Sequence, residues 1–164
     1  MKRKRILAMI LAVASCLSLA VSASAASTTT RKATDFRDYD RTAWYAEAVS
    51  AAVDNGLLYG KSSTVIDPNG AMTRAEMAAI INRSFGCYKT ADISQYKDVS
   101  KDKWYYKDIA LAAQMGTYNG RSTSTMASDA PISRQEAMTV VARALELDYD
   151  AYAKTDLSAF SDRS

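Results

Sequence analysis

The stretch MTRAEMAAIINRSFG, residues 72–86, decides the fold because the chain carries a second version of it, ISRQEAMTVVARALE, at residues 132–146. Each version begins with a capping box, in which a threonine or serine hydroxyl accepts the amide hydrogen of the third helical residue and a glutamate binds the amide of the cap itself. Apolar residues then recur at helical spacing on one face. The pattern therefore predicts two amphipathic helices of the same design.

The similarity between these stretches is part of a longer internal repeat. Residues 36–86 align with residues 96–146 at a constant offset of 60, without a gap. Identical residues occupy the pairs Asp38/Asp98, Trp44/Trp104, Tyr45/Tyr105, Ala52/Ala112, Gly56/Gly116, Gly60/Gly120, Ser62/Ser122, Arg74/Arg134, Glu76/Glu136 and Arg83/Arg143. Because tryptophan, glycine and arginine are poorly interchangeable, ungapped identity at these residues indicates a duplication.

Each copy predicts a helix, a loop and a second helix. The first helix is expected over residues 42–55, and over residues 102–115 in the second copy, with Gly56 and Gly116 as left-handed caps. Trp44 falls at helical spacing with alanines on one face of this helix. A loop with the turn sequence DPNG precedes the second helix. The predicted fold class is mainly α, built from tandem helix-loop-helix repeats.

The start of the chain has the order of a secretory signal peptide. In residues 1–25 a basic start is followed by an apolar run over residues 6–21 and by small residues before a cleavage site after Ala25. The apolar run is shorter than the roughly twenty residues that a membrane-spanning helix needs. A lipidated Cys16 is the alternative, but the apolar run continues beyond it. The chain is therefore expected to be secreted.

Export changes the charge of the chain. The full sequence holds 21 basic and 18 acidic residues, and removal of residues 1–25 leaves 17 basic against 18 acidic ones. A nearly neutral chain gives no electrostatic case for binding nucleic acid or an anionic membrane surface. Histidine is absent, which excludes histidine-based triads and the usual zinc sites, and Cys87 is the one cysteine after the predicted cleavage. No metal, cofactor or intrachain disulfide is expected.

The predicted organisation contains two full repeats and the opening of a third. In chain order these are a signal peptide, a Ser/Thr-rich linker, the first repeat, a linker, the second repeat, and a linker with the start of a third copy, at residues 1–25, 26–35, 36–86, 87–95, 96–146 and 147–164. Phe160-Ser161-Asp162 matches Phe36-Arg37-Asp38 at the opening of the first repeat. A three-repeat assembly is therefore expected to be incomplete.

The order of these residues, Phe/Tyr-x-Asp, Trp, Gly-x-x-x-Gly and then TRAE at residues 73–76, resembles the S-layer homology (SLH) domain of bacterial surface proteins. The resemblance covers residues 36–146 and the opening of the third copy. It implies that three repeats form a pseudo-threefold spindle around a central helical bundle, with ligand grooves between neighbouring repeats. The second copy departs from it with Ser128 opposite Pro68, and the incomplete third copy implies fewer grooves or self-association.

The function that the resemblance implies is non-covalent anchoring of an exported protein in the cell wall or S-layer of a bacterium. The implied partner is a secondary cell-wall polysaccharide, typically with a pyruvylated sugar, or a peptidoglycan-linked glycan, with no membrane span in the mature chain. A self-associating structural S-layer component is the alternative. An enzyme such as a glycoside hydrolase with a carboxylate pair is disfavoured, because Glu76 and Glu136 already serve the capping boxes. No catalytic residue is therefore expected.

Arg74 and Arg134 are the leading candidates for binding the glycan. Each lies at the first position of a helix, where a cation opposes the helix dipole, so helix stability does not explain it. A pyruvyl carboxylate as ligand would explain the arginine, because the guanidinium can bind it through two parallel hydrogen bonds. The alternative is a surface ion pair between the arginine and an aspartate. By the resemblance, the complete groove combines Arg74 with residues of the second repeat, namely Asp98, Trp104, Gly120 and Ser122.

Three further pairs of residues have both a binding and a structural interpretation. Trp44 and Trp104 present an indole face to a sugar ring, or fill the interhelical core. Asp38 and Asp98 accept hydrogen bonds from sugar hydroxyls, or they cap the following turn or hold the arginine in place. Gly120 and its counterpart in the first repeat allow close approach of a ligand, or form a plain turn.

Overall fold

The structure is a computed structural model in which residues 31–148, Ser158 and Ser161 are described. The predicted signal peptide at residues 1–25, the alternative lipidation site at Cys16 and most of the predicted third-copy segment lie outside the described residues. Both predicted full repeats lie inside them.

Helices supply the regular structure of both repeats. A short 3-10 helix (Ala33–Asp35) precedes four α-helices, two in each repeat: α1 (Ala46–Asp54), α2 (Arg74–Phe85), α3 (Tyr106–Gln114) and α4 (Arg134–Ala144). Residues 31–148 contain no strand, and an isolated antiparallel bridge joins Thr73 to Pro131. The prediction of a mainly α fold built from tandem helix-loop-helix repeats is confirmed.

The helices α2 and α4 begin where the capping boxes place them. The Thr73 hydroxyl accepts the amide hydrogen of Glu76 at 3.2 Å, and the Glu76 carboxylate accepts that of Thr73 at 2.8 Å. Ser133 and Glu136 repeat these two bonds at 3.1 and 3.0 Å. These bonds pair amide groups that have no acceptor inside the helix. The second helix therefore begins at the same position in each repeat.

Glycines in the left-handed conformation follow three of the helices. The φ angle is 68° at Gly56 after α1, 63° at Gly86 after α2 and 75° at Gly116 after α3. Glycine adopts this conformation without the steric cost that a Cβ atom brings. The predicted caps at Gly56 and Gly116 are confirmed.

The helices α1 and α3 begin four residues later than the sequence pattern predicts. The Asp40 carboxylate accepts the amide and hydroxyl hydrogens of Thr42 at 2.8 and 2.7 Å, and this turn occupies the start of the predicted helix. Trp44 therefore precedes α1 instead of lying on its face, so that prediction is wrong. Trp44 is 94% exposed and Trp104 is 60% exposed, so neither indole fills an interhelical core.

The α2 helix is the centre of the packing. Its backbone approaches both helices of the second repeat, α3 and α4, whereas the two helices of one repeat do not approach each other closely. The main core lies between the repeats and includes the buried side chains of Ala75, Ala78, Ile81, Ile109, Ala112, Met126 and Val140. A smaller core lies beside α1 and contains Ala33, Phe36, Val53 and Ile66. The pseudo-threefold spindle stays a prediction, because the described residues contain two repeats.

Candidate functional site

An aspartate clamps the loop of each repeat. Asp38 accepts the amide hydrogens of Ile66 and Asp67 at 3.0 and 2.7 Å, and the bond from Ile66 lowers the pKa of its carboxyl group. Asp98 accepts the two corresponding amide hydrogens at 2.9 and 2.7 Å. These bonds hold a left-handed residue in each loop, Asp67 (φ 56°) and Ala127 (φ 57°). The structure therefore shows the turn-holding role of the aspartates, and binding of sugar hydroxyls stays a prediction.

Each repeat borders a cavity, and the two cavities lie at equivalent positions. The first cavity, of about 500 Å³, is lined by residues of the first repeat together with Trp104 of the second. The second cavity, of about 510 Å³, is lined by residues of the second repeat together with Arg74 of the first. Both linings include the corresponding pairs Gly60/Gly120, Lys61/Arg121, Glu76/Glu136 and Arg83/Arg143. Both cavities are therefore built from the same parts at the border between the repeats.

An ion pair forms part of the wall of each cavity. Lys61 Nζ contacts the two carboxylate oxygens of Glu76 at 2.7 and 2.8 Å. Arg121 makes a bidentate pair with Glu136, in which both N–O distances are 3.0 Å. The side chains of Lys61 and Arg121 remain 34% and 44% exposed. Each capping glutamate therefore also positions a cation that solvent reaches.

The buried side chain of Arg74, in the first repeat, forms hydrogen bonds with residues of the second repeat. Its side chain is 5% exposed. The guanidinium donates to the carbonyl oxygens of Met126 and Asn119, both at 3.1 Å, and to the Glu136 carboxylate at 2.9 Å. It also lies 5.2 Å from the centre of the Tyr118 ring. These partners from the second repeat account for a cation at the start of α2, and a direct contact of Arg74 with a ligand stays a prediction.

Glu136 is the anion that the two arginines share. The hydrogen bond from Arg121 lowers the pKa of Glu136 to about 2, and the bond to Ser133 and the charge of Arg74 act in the same direction against the effect of burial. The carboxylate is therefore ionised at neutral pH. It joins the helix cap, the exposed cation and the buried arginine in one network.

Three of the five residues of the predicted groove line the two cavities. The structure brings Arg74 and Gly120 together at the second cavity and places Trp104 at the first. Asp98 and Ser122 line neither of these two cavities, and their side chains accept hydrogen bonds from backbone amides of their own loop. A groove that combines all five residues therefore stays a prediction.

The remaining candidates, Arg134, Trp44 and Asp38, are not among the residues that line the two cavities. Arg134 is exposed, and its side chain makes no hydrogen bond or ion pair within residues 31–148. Trp44 packs edge-on against Tyr45, with 5.7 Å between the ring centres. Asp38 serves its loop. Binding roles for these three residues stay predictions.

Packing explains the glycines at the cavities. A Cβ atom at Gly60 would lie 2.6 Å from the Phe36 ring and 2.6 Å from the Val65 carbonyl oxygen, on a backbone with φ of 81°. A Cβ atom at Gly120 would overlap the Tyr96 ring in the same way. Each glycine therefore lets its loop pack against the aromatic residue that opens its repeat, and close approach of a ligand stays a prediction.

Arg83 and Tyr59 line the first cavity and were not among the predicted site residues, as is also true of Lys61. The Arg83 guanidinium lies 4.1 Å from the centre of the Tyr59 ring and donates to the Leu57 carbonyl at 2.9 Å. The repeat alignment contained a signal for Arg83, because it is identical to Arg143, which donates to the Thr117 carbonyl at 3.4 Å. The residue at position 59 differs between the repeats, so the alignment gave no signal for it.

The described residues also bear on metal and membrane binding. Among them no group of three or more Asp, Glu, Cys or His side chains is arranged to hold a metal ion. None of the described helices has the length and apolar character needed to cross a membrane.

The chain has relatives among bacterial surface proteins and among enzymes. The model of the S-layer homology domain matches residues 35–78 and 95–138, just over half of the chain. A surface-layer 125 kDa protein of Lysinibacillus sphaericus is 32% identical over 133 residues, which cover 80% of this chain and 11% of the relative. An endoglucanase of Bacillus sp. (strain KSM-635) is 26% identical over 157 residues, which cover 94% of this chain and 16% of the relative. A cell surface protein of Thermoanaerobacter kivui is 28% identical over 117 residues, or 68% of this chain and 15% of the relative.

The fold and the paired cavities define a duplicated, mainly α repeat protein. With both repeats matched at residues 35–78 and 95–138, the chain belongs to the S-layer homology domain family, as its motifs predict. Proteins with this domain are associated with the bacterial cell surface. The chain spans less than a fifth of the length of each relative described above.

Proposed function

We propose that this chain is a non-catalytic anchor, which holds an exported protein at the bacterial cell wall by binding secondary cell-wall polysaccharide. Membership of the SLH family supports a role at the cell surface. The relatives support a transferable module, because a surface-layer protein and an endoglucanase share this segment as a small part of their length. A segment common to two such different proteins is better explained as an attachment module than as an active site.

The pair of cavities carries the proposal. Each cavity offers a solvent-accessible cation held by a capping glutamate, Lys61 in the first and Arg121 in the second. Such a cation binds the carboxylate of a pyruvylated sugar through charge-assisted hydrogen bonds. Trp104 adds an exposed indole face to the first cavity, and a sugar ring packs well on such a face. We therefore assign glycan binding to Lys61, Arg121 and Trp104, with Arg74 supporting the second cavity from behind.

Sedimentation with purified cell walls tests this site. The variant Arg121→Ala is expected to weaken binding about tenfold, since a charge-assisted contact is worth about 1.5 kcal/mol or more. The variant Trp104→Ala removes the apolar ring that packs on the sugar and is expected to weaken binding by roughly the same factor. Both side chains are exposed, so the variants keep the fold. Tyr88→Ala is the control, because Tyr88 is an aromatic residue that is 81% exposed and lines neither cavity. Unchanged binding by both Trp104→Ala and Arg121→Ala would contradict the assignment.

The identity of the glycan is tested by chemical treatment of the cell walls, with the protein left unchanged. Mild acid removes pyruvyl ketals, so walls treated in this way are expected to sediment less of the wild-type chain. Equal binding to treated and untreated walls would contradict the pyruvylated ligand and leave wall anchoring intact. Walls from which the secondary polysaccharide has been extracted are expected to lose binding, and retention by the remaining peptidoglycan would contradict the polysaccharide as the partner.

A further inference from the structure

The two cavities differ in charge although they are built from corresponding residues. The first cavity has two cations and two anions in its wall, and therefore no net charge: Lys61, Arg83, Asp67 and Glu76. The second cavity has three cations and one anion in its wall, a net charge of +2: Arg74, Arg121, Arg143 and Glu136. An anion is therefore attracted to the second cavity more strongly than to the first.

Part of this difference belongs to the repeats themselves. The counterpart of Asp67 in the second repeat is Ala127, so the second loop lacks this anion. The rest of the difference comes from Arg74, which the preceding repeat supplies. The exchange of Asp67 for Ala127 lies within the loop of each repeat, so it does not depend on which further repeat packs beside a cavity.

The Asp67 carboxylate lies against the backbone of Gly70. A Cβ atom at Gly70 would overlap this carboxylate. The second repeat has Ala127 and Ala130 at the two positions, so it lacks both the carboxylate and the space for it. Asp67 is exposed and forms no ion pair within residues 31–148. Its carboxylate is therefore free to repel an anion or to accept hydrogen bonds from a ligand.

The last arginine of each repeat decides which cavity holds an unbalanced cation. The exposed cations at positions 61 and 121 are each balanced by a paired glutamate. Arg83 and Arg143, by contrast, bind no carboxylate within residues 31–148 and donate to backbone carbonyl oxygens at 2.9 and 3.4 Å. Asp67 offsets the charge of Arg83 in the first cavity, whereas no acidic residue of the second cavity offsets that of Arg143. Because a guanidinium has five donor hydrogens, Arg143 keeps donors for an anionic ligand.

The first cavity also has more aromatic surface than the second. Tyr59 and Trp104 line it and are 57% and 60% exposed. In the second cavity the counterpart of Tyr59 is Asn119, and the counterpart of Ala79 is Thr139. An exposed aromatic ring packs well on the apolar face of a neutral sugar, and a nearby carboxylate accepts hydrogen bonds from its hydroxyl groups.

From these contrasts we infer that the two cavities bind different sugars of the wall glycan, an acidic sugar in the second cavity and a neutral sugar in the first. The acidic sugar is bound by Arg121 and Arg143. The neutral sugar packs on Tyr59 and Trp104, and its hydroxyl groups donate to Asp67. This inference rests on the proposed function and adds a difference in ligand preference between its two sites.

Amide NMR titrations of the purified chain with two small probes test the inference. One probe is a methyl hexoside that carries a pyruvyl ketal, and the other is the same hexoside without the ketal. The amides of Gly60 and Gly120 report on the first and the second cavity separately. The acidic probe is expected to bind about tenfold more tightly at Gly120 than at Gly60, and added salt should reduce this preference. The neutral probe is expected to shift the Gly60 amide and to leave the Gly120 amide unchanged.

The variant Asp67→Ala gives the first loop the residue that the second loop has. Ala127 has a φ angle of 57° and Asp67 one of 56°, so alanine is compatible with this loop. At Gly60 the variant is expected to bind the acidic probe about threefold more tightly, because a repelling charge is lost. It is expected to bind the neutral probe more weakly there, because an acceptor is lost as well. A general disturbance of the loop would weaken both probes together.

Asp67→Asn separates the charge of this side chain from its hydrogen-bonding role. The amide oxygen still accepts a hydrogen bond, and asparagine tolerates the left-handed conformation. This variant is expected to bind the acidic probe more tightly at Gly60, as Asp67→Ala does, and to keep the affinity for the neutral probe.

Glu47→Ala is the matched control, because it removes one negative charge from an exposed position of α1 that lines neither cavity. It is expected to leave the affinities of both probes unchanged. Equal affinity of the acidic probe for the two cavities, or an Asp67→Ala variant with unchanged affinities, would overturn the inference and leave glycan binding intact. No binding of either probe would also overturn it, and sedimentation with cell walls decides the proposed function separately.

Discussion

A guanidinium at the first position of a helix is unfavourable by itself, and Arg74 shows which contacts offset that effect. The cation opposes the positive end of the helix dipole, at a cost of about 0.5 kcal/mol. It also supplies hydrogen bonds to two carbonyl oxygens and to the Glu136 carboxylate. Arg134 has the same place in the motif but no such partners within residues 31–148. The arginine of this motif therefore has a structural role in Arg74, on which the second repeat packs.

Replacement of Arg74 is expected to destabilise the protein strongly. Arg74→Ala leaves two carbonyl groups of the second repeat without their donor and removes one of the two arginines that bind Glu136, so the free energy of unfolding is expected to fall by about 3 kcal/mol. Arg74→Lys restores the charge but not the forked geometry, and an intermediate loss is expected. Urea unfolding of the dilute chain measures these changes.

The repeat itself supplies the control for this prediction. Arg134→Ala removes the corresponding residue from α4, where it is exposed, and a change within about 0.5 kcal/mol is expected. Equal losses for Arg74→Ala and Arg134→Ala would show that the buried network does not contribute to the stability of the fold.

At the scale of the element, the range of an interaction decides whether the sequence predicts it. The capping boxes at Thr73 and Ser133 act within one helical turn, and the structure has both where the pattern predicts them. The start of α1 was predicted four residues too early, because the spacing of Trp44 with the alanines does not register the turn at Asp40. The packing of α2 on α3 depends on contacts between the repeats. The distribution of the candidate site residues over two cavities depends on the same contacts. Those contacts leave no trace in the spacing of residues within one repeat.

The loop that carries Gly60 has a packing requirement beyond its backbone conformation. Gly60 and Gly116 both have positive φ angles, 81° and 75°, so alanine strains the backbone at either position. A Cβ atom at Gly116 would meet no atom within 4 Å, whereas at Gly60 it would overlap the Phe36 ring and the Val65 carbonyl. We expect Gly116→Ala to cost about 1 kcal/mol and Gly60→Ala about 3 kcal/mol in denaturant unfolding. Equal costs would mean that the loop moves away from Phe36 without loss.

At the scale of the whole molecule, the boundary between the repeats in the sequence is not a boundary in the structure. The main core combines side chains of α2 from the first repeat with those of α3 and α4 from the second. The predicted linker, residues 87–95, is packed as well: the Ala91 amide donates to the Ala110 carbonyl at 3.0 Å, and Cys87 Sγ lies 3.1 Å from the Met115 sulfur. Burial raises the pKa of the Cys87 thiol, which suits a packing role. The helix α1 alone belongs to a separate, smaller core.

This arrangement predicts that a change in one repeat destabilises a helix of the other. Ile109 is fully buried in the main core, and Ile109→Ala is expected to lower the free energy of unfolding by about 3 kcal/mol. In native-state hydrogen exchange the amides of α2 and α3 should lose the same protection, because the two helices open together. Val53→Ala, in the smaller core, should lower protection in α1 and leave α3 unchanged. If α2 kept its protection in Ile109→Ala while α3 lost it, the repeats would be independent folding units, and the shared core would not be what holds the two cavities in place.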